Sequence, residues 1–492
     1  MPVDFLTSDQ KQNYGCYAAE PNDVQLARYF HLDERDLAFI NQRRGKHNRL
    51  GIALQLTTAR FLGTFLTDLT QVLPGVQHFV AVQLNIHRPE VLSRYAERDT
   101  TLREHTALIK EYYGYHEFGD FPWSFRLKRL LYTRAWLSNE RPGLMFDFAT
   151  AWLLQNKVLL PGATTLVRLI SEIRERANQR LWKKLAALPN KWQAAQVMEL
   201  LVIPEGQRVS ALEQLKKGPV TVSGPAFNEA LERYIRLRSL EFSRLNFSGL
   251  PAIQLRNLAR YAGMASVKYI ARMPQQRKLA VLTAFVKAQE ITALDDAVDV
   301  LDMLILDIIR EAKKTGQKKR LRTLKDLDQA ALLLARACAL LLDDNTDVPD
   351  LRQVIFKCVP KNRLAESVSK VNELARPQNN NFHDEMVEQY GRVKRFLPAV
   401  LRDLHFRAAP AGEHVLAAIH YLAELNGSKK RILDDAPEHI ITGPWKRLVY
   451  DAEGRIQRAG YSLCLLERLQ DALRRRDIWL ENSDRWGDPR EK

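Results

Sequence analysis

The chain has 492 residues, with 74 Lys and Arg against 58 Asp and Glu, a formal net charge of +16. At roughly 100–200 residues per domain the length predicts about three or four folding units, and 46% hydrophobic with 27% charged residues excludes a disordered chain. No apolar run reaches the roughly 20 residues of a membrane helix, residues 331–342 being cut by Arg336, and Met1-Pro2-Val3-Asp4-Phe5 opens without the basic and apolar regions of a secretion signal.

Only 22 Gly and 21 Pro punctuate the chain, which favours long helices over many short strands. Residues 22–30 place Val24, Leu26, Ala27 and Phe30 close to one helical face. A basic turn, Arg43-Arg44-Gly45-Lys46-His47-Asn48-Arg49, leads into a longer helix at 50–66, where Gly51 and Gly63 permit close packing. Pro74-Gly75 breaks the chain. Arg88-Pro89-Glu90 starts a helix carrying Arg94, Arg98 and Arg103, since Pro is tolerated in a first turn. Phe121-Pro122-Trp123 marks a boundary before a helix at 125–136 bearing Arg126, Lys128, Arg129 and Arg134. A helical run at 146–180 follows, then a loop-rich linker at 201–225, then helical patterning from 227 past 342. Polar stretches at 343–347 and 376–381 break the chain before a C-terminal helical third that reaches Trp479. Residues 442–455 are the one candidate hairpin, and no repeat of fixed period is visible.

Four constellations bear on chemistry. In residues 151–170 an apolar helix ends near Lys157, Pro161-Gly162 makes the turn, and Thr164 or Thr165 caps a second helix with Arg168, Arg174 and Arg176 towards its exposed side. This is the pattern of a helix-turn-helix, with Thr164, Thr165 and Arg168 at the base edges of a major groove; a plain helical hairpin has the same pattern. Residues 255–270 offer a second such hairpin, with Ala259 small at the crossing, Gly263 in the turn, and Ser266, Lys268 and Arg272 facing outward. Residues 310–325 hold eight basic residues against Glu311 alone; with Gly316 opening a loop, Lys318, Lys319, Arg320 and Arg322 suit phosphate contacts. Asp295, Asp299 and Asp302 share a helical face with Asp296 and Asp307 nearby, a set expected to favour a helix N-terminus and pair with basic neighbours rather than hold a metal. Cys16, Cys338, Cys358 and Cys464 form no CxxC pair and read as reduced, mostly buried thiols of a cytoplasmic protein without a zinc site. There is no GxxxxGK[ST], HExxH or GxSxG, and none of the 11 His has Arg three positions on, which removes the familiar ATPase, metalloprotease, hydrolase and tyrosine-recombinase signatures. A pI near 9.6 points to a polyanionic partner.

Several segments are similar to signatures of class II replicative transposases, the Tn-three family. They are Arg88-Pro89-Glu90-Val91-Leu92-Ser93-Arg94-Tyr95-Ala96-Glu97-Arg98-Asp99-Thr100-Thr101-Leu102-Arg103-Glu104-His105, Asp295-Asp296-Ala297-Val298-Asp299-Val300-Leu301-Asp302, Leu324-Lys325-Asp326-Leu327-Asp328, Phe406-Arg407-Ala408-Ala409-Pro410-Ala411-Gly412 and Arg485-Trp486-Gly487-Asp488-Pro489-Arg490. The resemblance runs in family order along essentially the whole chain. It implies the half that binds terminal inverted repeats and leads into linker and dimerisation regions. Family members are about twice this long, and their aspartate-aspartate-glutamate triad lies in an RNase H-like domain beyond the segment matching Trp486-Gly487-Asp488-Pro489. No residue here is assigned to that triad, so no cofactor is expected in this chain and Mg2+ only in the catalytic half.

The expectation is therefore an all-α, multi-domain protein with helix-turn-helix-like modules that binds double-stranded DNA at transposon ends, with a homodimer possible and a nucleoid-associated, cytoplasmic location. The divisions expected are a DNA-binding region at 1–180, linker and connecting helices at 181–245, a second DNA-binding region at 246–375, and a linker or dimerisation region at 376–492. Arg43, Arg44, Lys46 and Arg49 join the candidate DNA contacts named above. The alternative is a helical scaffold whose basic face binds RNA or acidic protein.

Overall fold

The computed structural model describes residues 5–95, 99–342, 351–374 and 382–491. It is predominantly helical, as expected, with short strands only near the C-terminal end. None of its described helices is long and apolar enough to cross a membrane. Two compact units share the chain. One comprises Met1–Leu188, Asn246–Met264 and Arg272–Ala284; the other comprises Pro189–Leu245, Ala265–Ala271 and Phe285–Lys492.

The first unit is built around the helix Lys46–Leu62, in which every residue from Leu50 to Ala59 is buried. A helix enclosed on all sides must satisfy its polar side chains internally. Gln55 does so by donating to and accepting from the backbone of Leu66, and Thr57 donates to the Ala53 carbonyl. Gly51 is required here, because a Cβ would stand 2.4 Å from the Tyr95 ring. The Tyr95 hydroxyl pairs with His105 Nδ1 at 2.9 Å, and burial together with the charge of Arg43 pushes the His105 pKa down to about 4. Nearby, Asp36 is 1% exposed and receives two hydrogen bonds from Arg60, at 2.6 and 2.7 Å, and one from the Tyr113 hydroxyl. A second core in the same unit packs Trp123–Leu137, Pro142–Gln155 and Ala163–Ala186 through Leu127, Leu131, Phe146, Leu166 and Ile170.

The second unit is organised on the helix Gln275–Leu341, whose residues from Phe285 onward belong to it. Pro274 precedes this helix and no Pro lies inside it. Ala293, Leu294, Ala297, Val298, Leu301, Leu304, Ile305 and Ile308 bury one helical stripe. At the C-terminal end, β1 (Phe406–Ala408) pairs antiparallel with β4 (Ile478–Leu480), and β2 (Ile432–Leu433) with β3 (Ile456–Gln457). The helix Arg458–Arg475 is buried along most of its length between them. Gly460 and Gly412 are required by close approach, since a Cβ on either would fall within about 2.4 Å of a backbone carbonyl, that of Leu448 or Asp477.

The acidic row on the long helix is covered by the segment after β4. Ser483 Oγ donates to Asp295 at 2.5 Å, Arg485 donates to Asp296 at 2.8 Å and also to Asp299, and the Trp486 indole donates to Asp299 at 2.7 Å. Asp302 receives both arms of Arg474 at 2.9 Å, and Asp296 receives Arg233 at 3.0 Å. The expected pairing with cations is seen, but the partners are remote in sequence and the row lies well inside its helix rather than at an N-terminus.

Other expectations are corrected. Gly316 opens no loop: it is buried within the continuous helix, where a Cβ would touch the Glu385 carboxylate at 3.4 Å. A single Gly costs a helix only about 1 kcal/mol, which packing readily outweighs. The helix expected from Arg88 is a 3-10 turn, Pro89–Tyr95, and a separate helix, Asp99–Tyr113; Arg98 lies outside the described residues. Residues 442–455 form the helix Gly443–Val449 and a turn closed by the bridge Tyr450–Ile456, not a full hairpin. Cys16, Cys338 and Cys358 are exposed and only Cys464 is buried, because the first three lie on outward helical or loop positions. The polar stretches 343–347 and 376–381 lie outside the described residues.

Burial alone would raise the Asp36 pKa, but the bonds from Arg60 and Tyr113 and the Arg60 charge hold it below the usual carboxylate range. Its stabilisation is complete above the unfolded pKa of about 4 and is lost as pH falls through the folded value. Asp36→Asn is expected to cost about 2–3 kcal/mol at pH 7, under the roughly 3–5 of a fully buried pair because Arg60 keeps 25% exposure. Urea melts should show that deficit shrinking below about pH 4. Arg485→Ala is expected to speed amide exchange at 483–488 on the order of tenfold and to shift Trp486 emission to the red, with the Leu50–Ala59 amides unchanged. Unaltered exchange at 483–488 would count against the acid–arginine clamp.

Candidate nucleic-acid interface

The basic turn before Lys46–Leu62 divides into cations that hold the fold and cations that face solvent. Arg49 donates to the Arg43 carbonyl at 3.0 Å and to the Asn41 carbonyl at 3.4 Å, and the Arg43 guanidinium lies over the Phe39 ring at 5.5 Å. Both are half-buried and hold the turn, which Gly45 enters with φ of 85°. Arg44 and Lys46 are exposed.

In the first hairpin, Pro142–Gln155 ends as expected, but the connection runs from Asn156 to Gly162. That is longer than the roughly three or four residues of a helix-turn-helix turn. It also pairs with another segment: His116 N donates to the Lys157 carbonyl and Leu159 N to the His116 carbonyl, both at 2.9 Å. Gly162 is the N-cap of Ala163–Ala186, without a side-chain cap bond, so Thr164 and Thr165 are exposed first-turn residues and not caps. Arg168 is 74% exposed and pairs with Glu172 at 2.9 Å. An exposed i,i+4 pair is worth only about 0.3–0.5 kcal/mol, so it leaves the guanidinium available. A groove of about 980 Å³ beside this helix is lined by Arg168, Arg174 and Arg176 but also by Glu172 and Glu175, so its charge is mixed.

In the second hairpin, Gly263 lies inside Ala252–Met264, and the break falls at Ala265-Ser266. The helix after it, Val267–Ala271, has only 5 residues. Ser266, Lys268 and Arg272 are exposed as expected. On the long helix Lys318 is exposed, whereas Lys319 pairs with Glu388 at 2.7 Å. The side chains of Arg320 and Arg322 lie outside the described residues.

A further basic strip in the first unit was not among the expected contacts. The helix Trp123–Leu137, WSFRLKRLLYTRAWL, contains no acidic residue. It exposes Arg126, Lys128 and Arg129, while Arg134 is taken up by Glu140. Along the same face follow Tyr132, whose hydroxyl accepts from Arg180 at 3.1 Å, and Trp136. Arg180 and Lys184 stand over the Trp136 ring at 5.0 and 5.6 Å. Cations and aromatic rings thus alternate over two packed helices, the combination that nucleic-acid surfaces use for phosphates and bases. The sequence signal was the absence of acids over that helix; what no periodicity shows is that Arg180 and Lys184 join it.

Among the described residues no cluster of His, Cys, Asp and Glu is arranged to hold a metal ion. Residues 5–173 match a domain of unknown function, DUF4158. Over 489 residues, 99% of its length, the chain is 30% identical to the transposase for transposon Tn501 of Pseudomonas aeruginosa and covers 49% of that protein. It is 29% identical over 94% of its length to the transposase for transposon Tn3926 of Escherichia coli, covering 47% of it. With the transposase for transposon Tn21 of Escherichia coli the identity is 28%, over the same shares of the two chains. The chain therefore resembles transposases of Tn-type transposons along nearly all of its own length, and it spans about half the length of the curated relatives it matches.

Proposed function

We infer that this chain serves DNA transposition by gripping duplex DNA at the ends of a transposon. The observation that carries the reading is the aromatic-lined basic strip in the first unit, where Lys128 and Arg129 on a helix without acids are joined by Arg180 and Lys184 over Trp136. The similarity to transposases gives the biological setting, and the net charge of +16 supports attraction to a polyanion. In this reading the strip contacts phosphates, and Thr164, Thr165 and Arg168 on the exposed first turns of Ala163–Ala186 contact base edges. Arg44, Lys46, Ser266, Lys268, Arg272 and Lys318 supply further backbone contacts.

Fluorescence anisotropy of the full chain with labelled end duplex and scrambled duplex, over a salt series, tests this. The end duplex is expected to bind more tightly, with a steep salt dependence. Arg180→Ala with Lys184→Ala should weaken both duplexes alike and flatten the log–log salt slope by roughly 0.9 for every phosphate no longer neutralised. Arg168→Ala should cost about 1–3 kcal/mol on the end duplex and much less on the scrambled one. Equal losses for Arg168→Ala on both would make it a phosphate contact, and a chain that binds neither duplex overturns the reading.

A further inference from the structure

The second unit contains a cationic cleft that no sequence motif announced. Its volume is about 630 Å³, and four of its lining residues, Lys394, Lys429, Lys430 and Arg431, are exposed cations. No acidic residue lines it. Its walls are apolar or neutral: Leu397, Pro398 and Leu401 on one side, Tyr390 and Asn426 beside them.

The cleft is built, because its rim is pinned from beneath. Arg458 donates to three backbone carbonyls of that rim, those of Ser428 at 2.5 Å, Leu425 at 3.2 Å and Lys430 at 3.4 Å. The backbone of Arg431 is fixed as well, its carbonyl accepting from Arg458 N at 2.8 Å just before β2 pairs with β3. Asn426 donates to the Pro398 carbonyl at 2.9 Å and ties the rim to the opposite wall. Gly427 turns the rim with φ of 90°, a conformation that favours glycine.

The charges on this frame are largely uncommitted. Lys429 and Arg431 have no ion pair among the described residues. Lys430 reaches Asp434 at 3.3 Å, an exposed pair of little strength, and Lys394 stands over Tyr390 at 4.8 Å. Four like charges held around one concavity repel one another and raise the local anion concentration.

We propose that this cleft is a phosphate-binding site for the DNA backbone, a second anchor carried by the second unit and separate from the strip on Trp123–Leu137. It rests on the DNA-binding reading above. Its size admits a stretch of sugar–phosphate rather than one small anion, and its apolar wall suits the sugar faces. The contacts carry no sequence information, because backbone phosphates are alike at every base pair.

The test uses the full chain, the same two duplexes and the same salt series. Lys429→Ala, Lys430→Ala and Arg431→Ala together should weaken both duplexes on the order of tenfold near physiological salt and flatten the slope by roughly 0.9 for each phosphate the cleft ceases to hold. A control with Lys191→Ala, Lys370→Ala and Lys446→Ala removes the same charge elsewhere and should change binding far less. Replacing the first two lysines by Arg, with Arg431 kept, should retain wild-type affinity. Circular dichroism and amide exchange in Arg458–Arg475 report that the variants are folded. A folded cleft variant with wild-type affinity and slope, or a control equally impaired, overturns the cleft while leaving the DNA-binding reading in place. A loss confined to the end duplex also overturns it, since that is base reading. A wild-type chain that binds neither duplex overturns both.

Discussion

The second unit depends on how a row of carboxylates on one helix is neutralised. Asp295 is buried, and Asp296, Asp299 and Asp302 are largely covered. An ionised carboxylate removed from water without donors costs several kcal/mol, so only a surface rich in donors can lie on this stretch. Arg485, Trp486, Ser483 and Arg474 provide that surface. Satisfying the row fixes the segment after β4, whose Leu480 N donates to the Trp486 carbonyl at 2.9 Å. β4 in turn registers β1, and Gly412 lets the chain after β1 lie against the Asp477 carbonyl. Three of the segments that resemble transposase signatures are thereby one assembly, and their residue types follow from hydrogen-bond geometry and close packing.

The same division runs through the arginines. Arg60, Arg134, Arg233, Arg458 and Arg474 each donate to carboxylates or to several carbonyls and act as structural cross-links. A planar guanidinium with a fixed fork of donors suits this better than an ammonium. The cations that remain exposed, such as Lys128, Arg129, Lys184, Lys429 and Arg431, collect where the surrounding surface lacks acids. The number of cations therefore overstates the basic surface, and their distribution identifies it.

The signature at Arg88 to His105 shows the same principle in the first unit. Tyr95 packs on Gly51 and bonds to His105, whose imidazole is neutral at pH 7 because burial and Arg43 disfavour its charge. These residues hold the central helix Lys46–Leu62 and its neighbours together; neither is placed to act on a partner.

Local periodicity and the placement of Gly and Pro were enough for the helical class and the position of most helices. The sequence also singled out the acidic row and the need for small residues at Gly51 and Gly63. Tertiary structure alone decided the rest. Gly316 lies inside one continuous helix, with the Glu385 carboxylate beside it, where the sequence suggested a loop. The turn from Asn156 to Gly162 is held by His116, a partner outside the hairpin, so its geometry was not contained in the hairpin's own residues. Arg43, Arg49 and Lys319 found protein partners, while Arg180, Lys184, Lys429 and Arg431 were brought to basic surfaces by packing between helices and by the β2–β3 pairing. Which cations face solvent together is a property of long-range contacts, and local spacing carries no record of them.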